Sequence, residues 1–347
     1  MILRRFRFLF LGLIFLLQYL FVSWCAHHPE RVENFYSKGF YAHSLGIGLA
    51  LLQKIPFSVG DLLYTLVLGW ALYCVFQWRK ANIKKLILHS LFGLNLVYFV
   101  FHLSWGLNYH RLPLAKQLGY SSGYTIEELE ESLCFYLNQS NSLQAALGFT
   151  PEQRVETTMS LNELKSLVQD THASSPLLYT KNSHFSTLLS YMGYAGYLNP
   201  FTLESQINDK LPKINVVVTM AHEISHQKGY AAENEANFMG FLFCQEHPNL
   251  YIRYASALFS VRYLYSDLYK ADPEKAKRIL RQANTGILLN INEASAFWKK
   301  YKNPLAPYFQ QSYNHYLKAN RQARGIRSYN DVVGLIIQYH KESLGIE

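Results

Sequence analysis

The stretch Val216-Val217-Val218-Thr219-Met220-Ala221-His222-Glu223-Ile224-Ser225-His226 sets two imidazoles four positions apart, with a carboxylate directly after the first. On a helix that spacing puts both rings on one face, where two nitrogens bind one Zn²⁺. Glu223 then projects beside the metal to take a proton from an activated water. A chain of this composition contains HExxH by chance only about 0.02 to 0.03 times. The competing reading is a buried helix whose two histidines are satisfied by protein groups. That reading leaves His, Glu and His together in an apolar setting, each needing a partner. A catalytic zinc also takes a third protein ligand, so the residues that follow His226 decide how far the motif carries.

Gly229 is suited to end the helix, and Ala231 to Gly240 resumes a helical pattern. A metzincin would need a histidine three residues after that glycine, where Ala232 stands. The stretch instead resembles the gluzincins, whose zinc is held by the two HExxH histidines and a glutamate of the next helix, commonly in ExxxD or ExxxN. Glu233 with Asn237 fits that spacing. The resemblance implies zinc on His222, His226 and Glu233, with Asn237 supporting the ligand; Glu235 is the alternative third ligand. The interval from His226 to Glu233 is shorter than in thermolysin-like enzymes and demands a tight turn at Gly229.

The rest of the chain must position this site. Of its 347 residues, 50% are hydrophobic and 16% charged, which excludes disorder, collagen-like repeats and long coiled coils. The net charge of +9 comes with no recognisable nucleic-acid module, and much of it flanks apolar segments, so nucleic acid is not an expected partner. Cys25, Cys74, Cys134 and Cys244 form no CxxC pair, and only Cys134 and Cys244 are candidates for a disulfide.

Residues 8–24, 62–78 and 86–107 read as three transmembrane helices, and the apolar stretch 41–53 is too short to span and reads as an interfacial segment. Arg4, Arg5 and Arg7 precede the first helix, whose end at Trp24 lacks the small residues of a signal-peptide cleavage site. Four cations between Arg79 and Lys85 separate the second helix from the third. The positive-inside rule puts both basic clusters in the cytoplasm, so three crossings carry the remainder outside a bacterial cytoplasmic membrane. Residues 1–110 are then a membrane domain and 111–347 an extracytoplasmic zincin-like metallopeptidase domain. His89, Asn95 and His102 lie within the third apolar segment; without acidic companions they favour helix-to-helix hydrogen bonding over a proton path.

The fold class expected is mostly α, with three N-terminal transmembrane helices followed by an α-rich domain holding a small β element. Thr125 with Glu128, and Ser160 with Glu163, read as capping boxes that open helices, the first running to about Gln139 and the second ending before Ser174-Ser175-Pro176. Leu203 to Ile207 reads as a short exposed strand, either an edge that an extended peptide pairs with, in which case Gly196 to Thr202 shapes one wall of a cleft, or an ordinary surface strand. Helices are expected from about Ile214 and over Tyr251–Tyr269, Glu274–Asn284, Ile287–Tyr301, Tyr308–Arg321 and Tyr329–Glu342. The aromatic stripe from Tyr308 to Tyr316 reads as core or membrane-facing surface. Tyr254, Arg262, Tyr263, His247 and His315 are chemically able to stabilise an oxyanion, and nothing in the sequence selects among them.

Most of the chain also resembles a bacterial family of proteins of unknown function, domain-of-unknown-function family 3810, with N-terminal membrane helices and a zincin-like C-terminal region. Trp105 to Arg111, Gly196 to Thr202, His222 to Asn237 and Gly325 to Tyr329 carry that resemblance. It implies the architecture and the metal site and supplies no substrate. The function expected is zinc-dependent hydrolysis of peptide bonds outside the membrane, with Glu223 as general base and a protein or peptide as substrate. The alternative is a noncatalytic zinc-containing membrane sensor or peptide-binding protein.

Overall fold

The computed structural model describes residues 2–77, 83–121, 123–170 and 178–345. The basic linker residues 79–82, the end of the second span at Trp78 and the predicted helix stop at Ser174-Ser175-Pro176 lie outside them. The chain is mostly helical and divides into two compact units, one of residues up to Leu112 with Asn199–Glu204, the other of Pro113–Leu198 with Ser205–Glu347.

The first unit holds α1 (Ile2–His27), a π-helical stretch Val32–Tyr41, α2 (Ala42–Leu52), α3 (Val59–Gln77) and α4 (Ile83–Ser104). Three segments, Phe6–His27, Val59–Phe76 and Ile83–Ser104, are long and apolar enough to cross a membrane. Polar residues inside them pair with helix groups, as Gln18 Nε2 donates to Asn95 Oδ1 at 3.3 Å and His102 Nδ1 bonds the carbonyl of Tyr98. Arg111, from the quoted Trp105–Arg111 motif, makes a two-pronged ion pair with buried Glu33 at 2.8 Å. The segment Asn199–Glu204 is tied to these helices: Gly60 N–H donates to Glu204 Oε2, and Ser104 Oγ to the Pro200 carbonyl.

After a short helix, Leu114–Leu118, the second unit continues with α5 (Ile126–Ala146) and α6 (Leu161–Asp170), each begun by the expected capping box. α5 passes the polar run at Gln139 and continues to Ala146. Leu143 is buried there, and Gln144 Nε2 donates to the carbonyls of Thr150 and Gln153, so tertiary contacts outweigh the weak local preference. Then come β1 (Thr180–Asn182), α7 (Ser186–Met192), β2 (Gly196–Leu198), β3 (Ser205–Ile207), α8 (Lys213–Gln227), α9 (Glu233–Gln245), α10 (Leu250–Ala271), α11 (Pro273–Leu280), α12 (Thr285–Lys300), α13 (Ala306–Ala319) and α14 (Val332–Ser343). A 3₁₀ segment, Gly325–Asp331, occupies the start expected for the last helix.

The sheet corrects one expectation. Its order is β1-β3-β2, with β3 parallel to β1 and antiparallel to β2, so the strand expected at the edge is central and wholly buried. Alternation reports which sheet face a side chain takes, not how many strands pair with its backbone, and here both faces are covered. The four cysteines are free thiols, which removes the Cys134–Cys244 disulfide. α5, α9, α10 and α14 share the core, through Leu133, Tyr136, Phe238, Phe241, Leu264 and Ile336, and that core fixes the helix after HExxH.

Candidate metal centre

α8 is built from residues with a modest helix preference, three consecutive valines among them, and is held by burial: Val217, Met220, Ala221 and Ile224 are inaccessible to solvent. It stops at Gly229, whose φ of 83° suits a residue without Cβ. Gly229 N–H donates to the His226 carbonyl and Tyr230 N–H to that of Ser225, a Schellman closure. The same turn leaves the Tyr230 carbonyl 2.7 Å from His226 Nδ1. A carbonyl only accepts, so Nδ1 carries a proton, and Nε2 is the nitrogen left to bind a metal once the ring is neutral.

The short turn delivers Glu233 at once. Its Oε2 lies 3.3 Å from His222 Nε2 and 3.5 Å from His226 Nε2, and neither contact has hydrogen-bond geometry. Ligand atoms of all three residues fall within 4.8 Å of one another. Four-coordinate zinc with bonds of about 2.0–2.1 Å separates neighbouring ligands by about 3.3–3.4 Å, and the carboxylate oxygen stands at about that distance from each imidazole nitrogen. The donor set, two imidazoles and one carboxylate, also suits zinc. His226 is pulled down by burial, but the Glu233 carboxylate beside it prevails and raises it to about 9. Burial likewise opposes ionisation of Glu233, and the two imidazoles overcome it and hold that carboxyl well below its ordinary range.

Groups far along the chain support Glu233. Tyr313 Oη donates to Glu233 Oε1 at 2.6 Å, leaving Oε2 for the imidazoles, and the hydroxyl of Tyr329 lies 3.2 Å from that of Tyr313. The Tyr329 ring lies parallel to that of His222, with centroids 6.4 Å apart. Burial and the nearby Glu233 charge keep both phenols well above their ordinary range, so both are neutral donors. Ala232 has no side chain to cap α9, and Gln322 Oε1 accepts the Glu233 N–H in its place. Gly240 lets α9 close on α8, since a Cβ there would lie 2.9 Å from the His222 nitrogen.

Glu223 is 3% exposed, its Oε2 has no hydrogen-bond partner among the described residues, and burial raises its carboxyl to about 7. A Cβ at Gly196 would lie 2.7 Å from Glu223 Oε1, so only glycine lets β2 run against this carboxylate. Ser205 Oγ bonds the Glu223 carbonyl from β3.

The structure therefore brings His222, Glu223, His226 and Glu233 together. Glu235 points elsewhere, its Oε1 accepting the Leu114 N–H at 2.7 Å. Asn237 meets Tyr263 at 3.5 Å. Tyr254 is engaged with Asn290, and His247 with the Leu167 carbonyl and the Asn249 N–H. Tyr313, Tyr329 and Gln322 went unselected in the sequence; Tyr329 stood inside a quoted motif and Tyr313 inside the aromatic stripe, with no spacing to link either to Glu233.

A model of the family described as Protein of unknown function (DUF3810) matches residues 36–337. The chain belongs to that family. The matched span takes in every site residue described above, together with α3 and α4. No curated protein and no solved structure matches the chain.

Proposed function

We propose that this member of the family is a membrane-anchored zinc metallopeptidase. The observation that carries the reading is the convergence of His222 Nε2, His226 Nε2 and Glu233 Oε2, with Glu223, whose Oε2 has no hydrogen-bond partner among the described residues, directly after the first ligand. Zinc held there would polarise a scissile carbonyl and acidify a water. Glu223 takes the proton from that water and passes it to the leaving amine, a role suited by a carboxyl poised near neutrality.

A polypeptide substrate is supported by the sheet edge. Asn208 N–H bonds the Ala195 carbonyl and Asn199 N–H that of Glu204, so residues 195, 197 and 199 face β3. The amides and carbonyls of Gly196 and Leu198 then face away from β3, beside Glu223, where an extended chain would add as a strand. The strand presented is β2, in place of β3. The basic residues in the first turns of α1 and from Arg79 to Lys85 support cytoplasmic ends there, and hence a C-terminal unit outside the cytoplasmic membrane.

Substrate trapping tests the reading: full-length Glu223→Gln protein in its native membrane is expected to retain zinc and hold peptides that wild type cleaves. Zinc retention by both proteins with no cleavage of any envelope peptide would favour the sensor or peptide-binding alternative. A reporter fused after Glu347 is expected to act outside the cytoplasm, and cytoplasmic activity alone would reverse the topology.

A further inference from the structure

The second unit carries an apolar patch away from its core. Among its described residues, four of the five most exposed large hydrophobics are Tyr308 (68%), Leu305 (59%), Leu188 (51%) and Tyr191 (46%). They come from two elements joined at the surface. Tyr191 of α7 packs edge-on against Tyr301, with ring centroids 5.2 Å apart, and its carbonyl accepts from Asn303 Nδ2 at 2.7 Å. Leu188 lies one turn before Tyr191, and Leu305 one turn before Tyr308, so each pair shares a helical face.

Along the two stretches of chain that carry the patch the charge has one sign; the neighbouring acid, Asp209 beside Ser186, is paired with Lys210. Between Glu293 and Asp331 the chain holds no acidic residue and seven lysines and arginines; Lys299, Lys300 and Lys302 are exposed immediately before Leu305. From Ser183 to Leu203, across α7, it has no Asp, Glu, Lys or Arg at all. Aromatic and aliphatic groups flanked in sequence by lysines and by no acid complement a headgroup layer: phenol rings settle at the interface, leucines enter the acyl boundary and ammonium groups meet lipid phosphates.

We propose that the patch Leu188, Tyr191, Leu305 and Tyr308, with Lys299, Lys300 and Lys302, docks on an anionic lipid surface. The inference does not depend on the metal reading. It has a consequence for the site, because α13 also carries Tyr313, the residue that holds Glu233, and Tyr194 packs on Tyr313 while bonding the Phe309 carbonyl. Lipid contact would steady the helix behind the Glu233 carboxylate.

Depth-dependent quenching in nanodiscs tests it with the full chain. An environment-sensitive fluorophore is attached at Leu305→Cys, Tyr308→Cys and, as control, Glu274→Cys on α11, where the side chain is 78% exposed. Label taken up by the four native cysteines is subtracted. With brominated phosphatidylglycerol and phosphatidylcholine, quenching at 305 and 308 is expected to exceed that at 274 by roughly twofold or more. The excess should shrink in pure phosphatidylcholine and when Lys299, Lys300 and Lys302 are all changed to Glu. Equal quenching at the three positions overturns the proposal. Quenching at 305 and 308 that ignores both lipid charge and the lysine changes overturns its anionic specificity. Energy transfer between differently labelled chains in detergent, with 305 and 308 shielded from aqueous quencher, assigns the patch to a second copy and also overturns it.

Discussion

α3 and α8 are both built mainly from apolar residues, yet Leu66 and Trp70 of α3 are 62% and 68% exposed, whereas Val217, Met220 and Ile224 of α8 are fully covered. Hydrophobicity alone does not separate them. The first is long enough to cross a bilayer and turns its side chains outward; the second has 15 residues and finds protein on every side. The difference governs what polar residues do in each. In the outward-facing helices Asn95 takes one hydrogen bond from Gln18, while in α8 the surrounding elements supply His222, Glu223 and His226 with a carboxylate, a carbonyl and a glycine-lined wall. Burial among protein groups makes polar residues into a site; a lipid-like setting makes them into helix contacts.

The largest effect expected on this contrast comes from His226→Ala, which removes a ligand from the buried set. Zinc affinity should fall on the order of 10²-fold or more, read by competition with a chromophoric chelator; stoichiometric zinc in that variant would break the metal assignment. Glu223→Gln comes next. It should leave zinc in place and lower turnover on any cleaved peptide by about 10²-fold, and undiminished hydrolysis would remove Glu223 as the base.

A smaller separation is expected between two neighbours on α9. Glu233→Gln should weaken zinc binding by about 10- to 100-fold, and Glu235→Gln by less than about threefold, because the second carboxylate bonds the Leu114 amide. The opposite order in the same titration would move the ligand to Glu235. The smallest effect belongs to the apolar side of the comparison. Asn95→Leu should cost about 0.6 kcal/mol of helix association and leave zinc content unchanged, measured by unfolding in detergent and by metal analysis. Loss of zinc there would break the contrast between the two regions.

Much of the site was legible because its signals are local. HExxH spacing, the glycine that must adopt positive φ at 229 and the capping boxes at Thr125 and Ser160 each act within a few residues. Helix lengths were less legible: α5 runs through Asn138 to Ser142 because Leu143 and Gln144 find partners elsewhere. Tyr313, Tyr329 and Gln322 were hidden among 26 tyrosines and a helical tail, 80 or more residues from Glu233.

By itself the sequence determined most of the longer helices, the three apolar ones among them, and the pair of histidines on one helical face, since periodicity, run length and turn chemistry are written in adjacent residues; β1, β2 and α7 were not marked in it. Tertiary structure alone decided that Glu233 and not Glu235 meets those histidines, and that β3 is central with β2 at the edge. It also decided which two phenols stand behind the carboxylate. Those outcomes depend on how α8, α9, α13 and the sheet pack together, and packing joins residues whose separation along the chain carries no record of their contact.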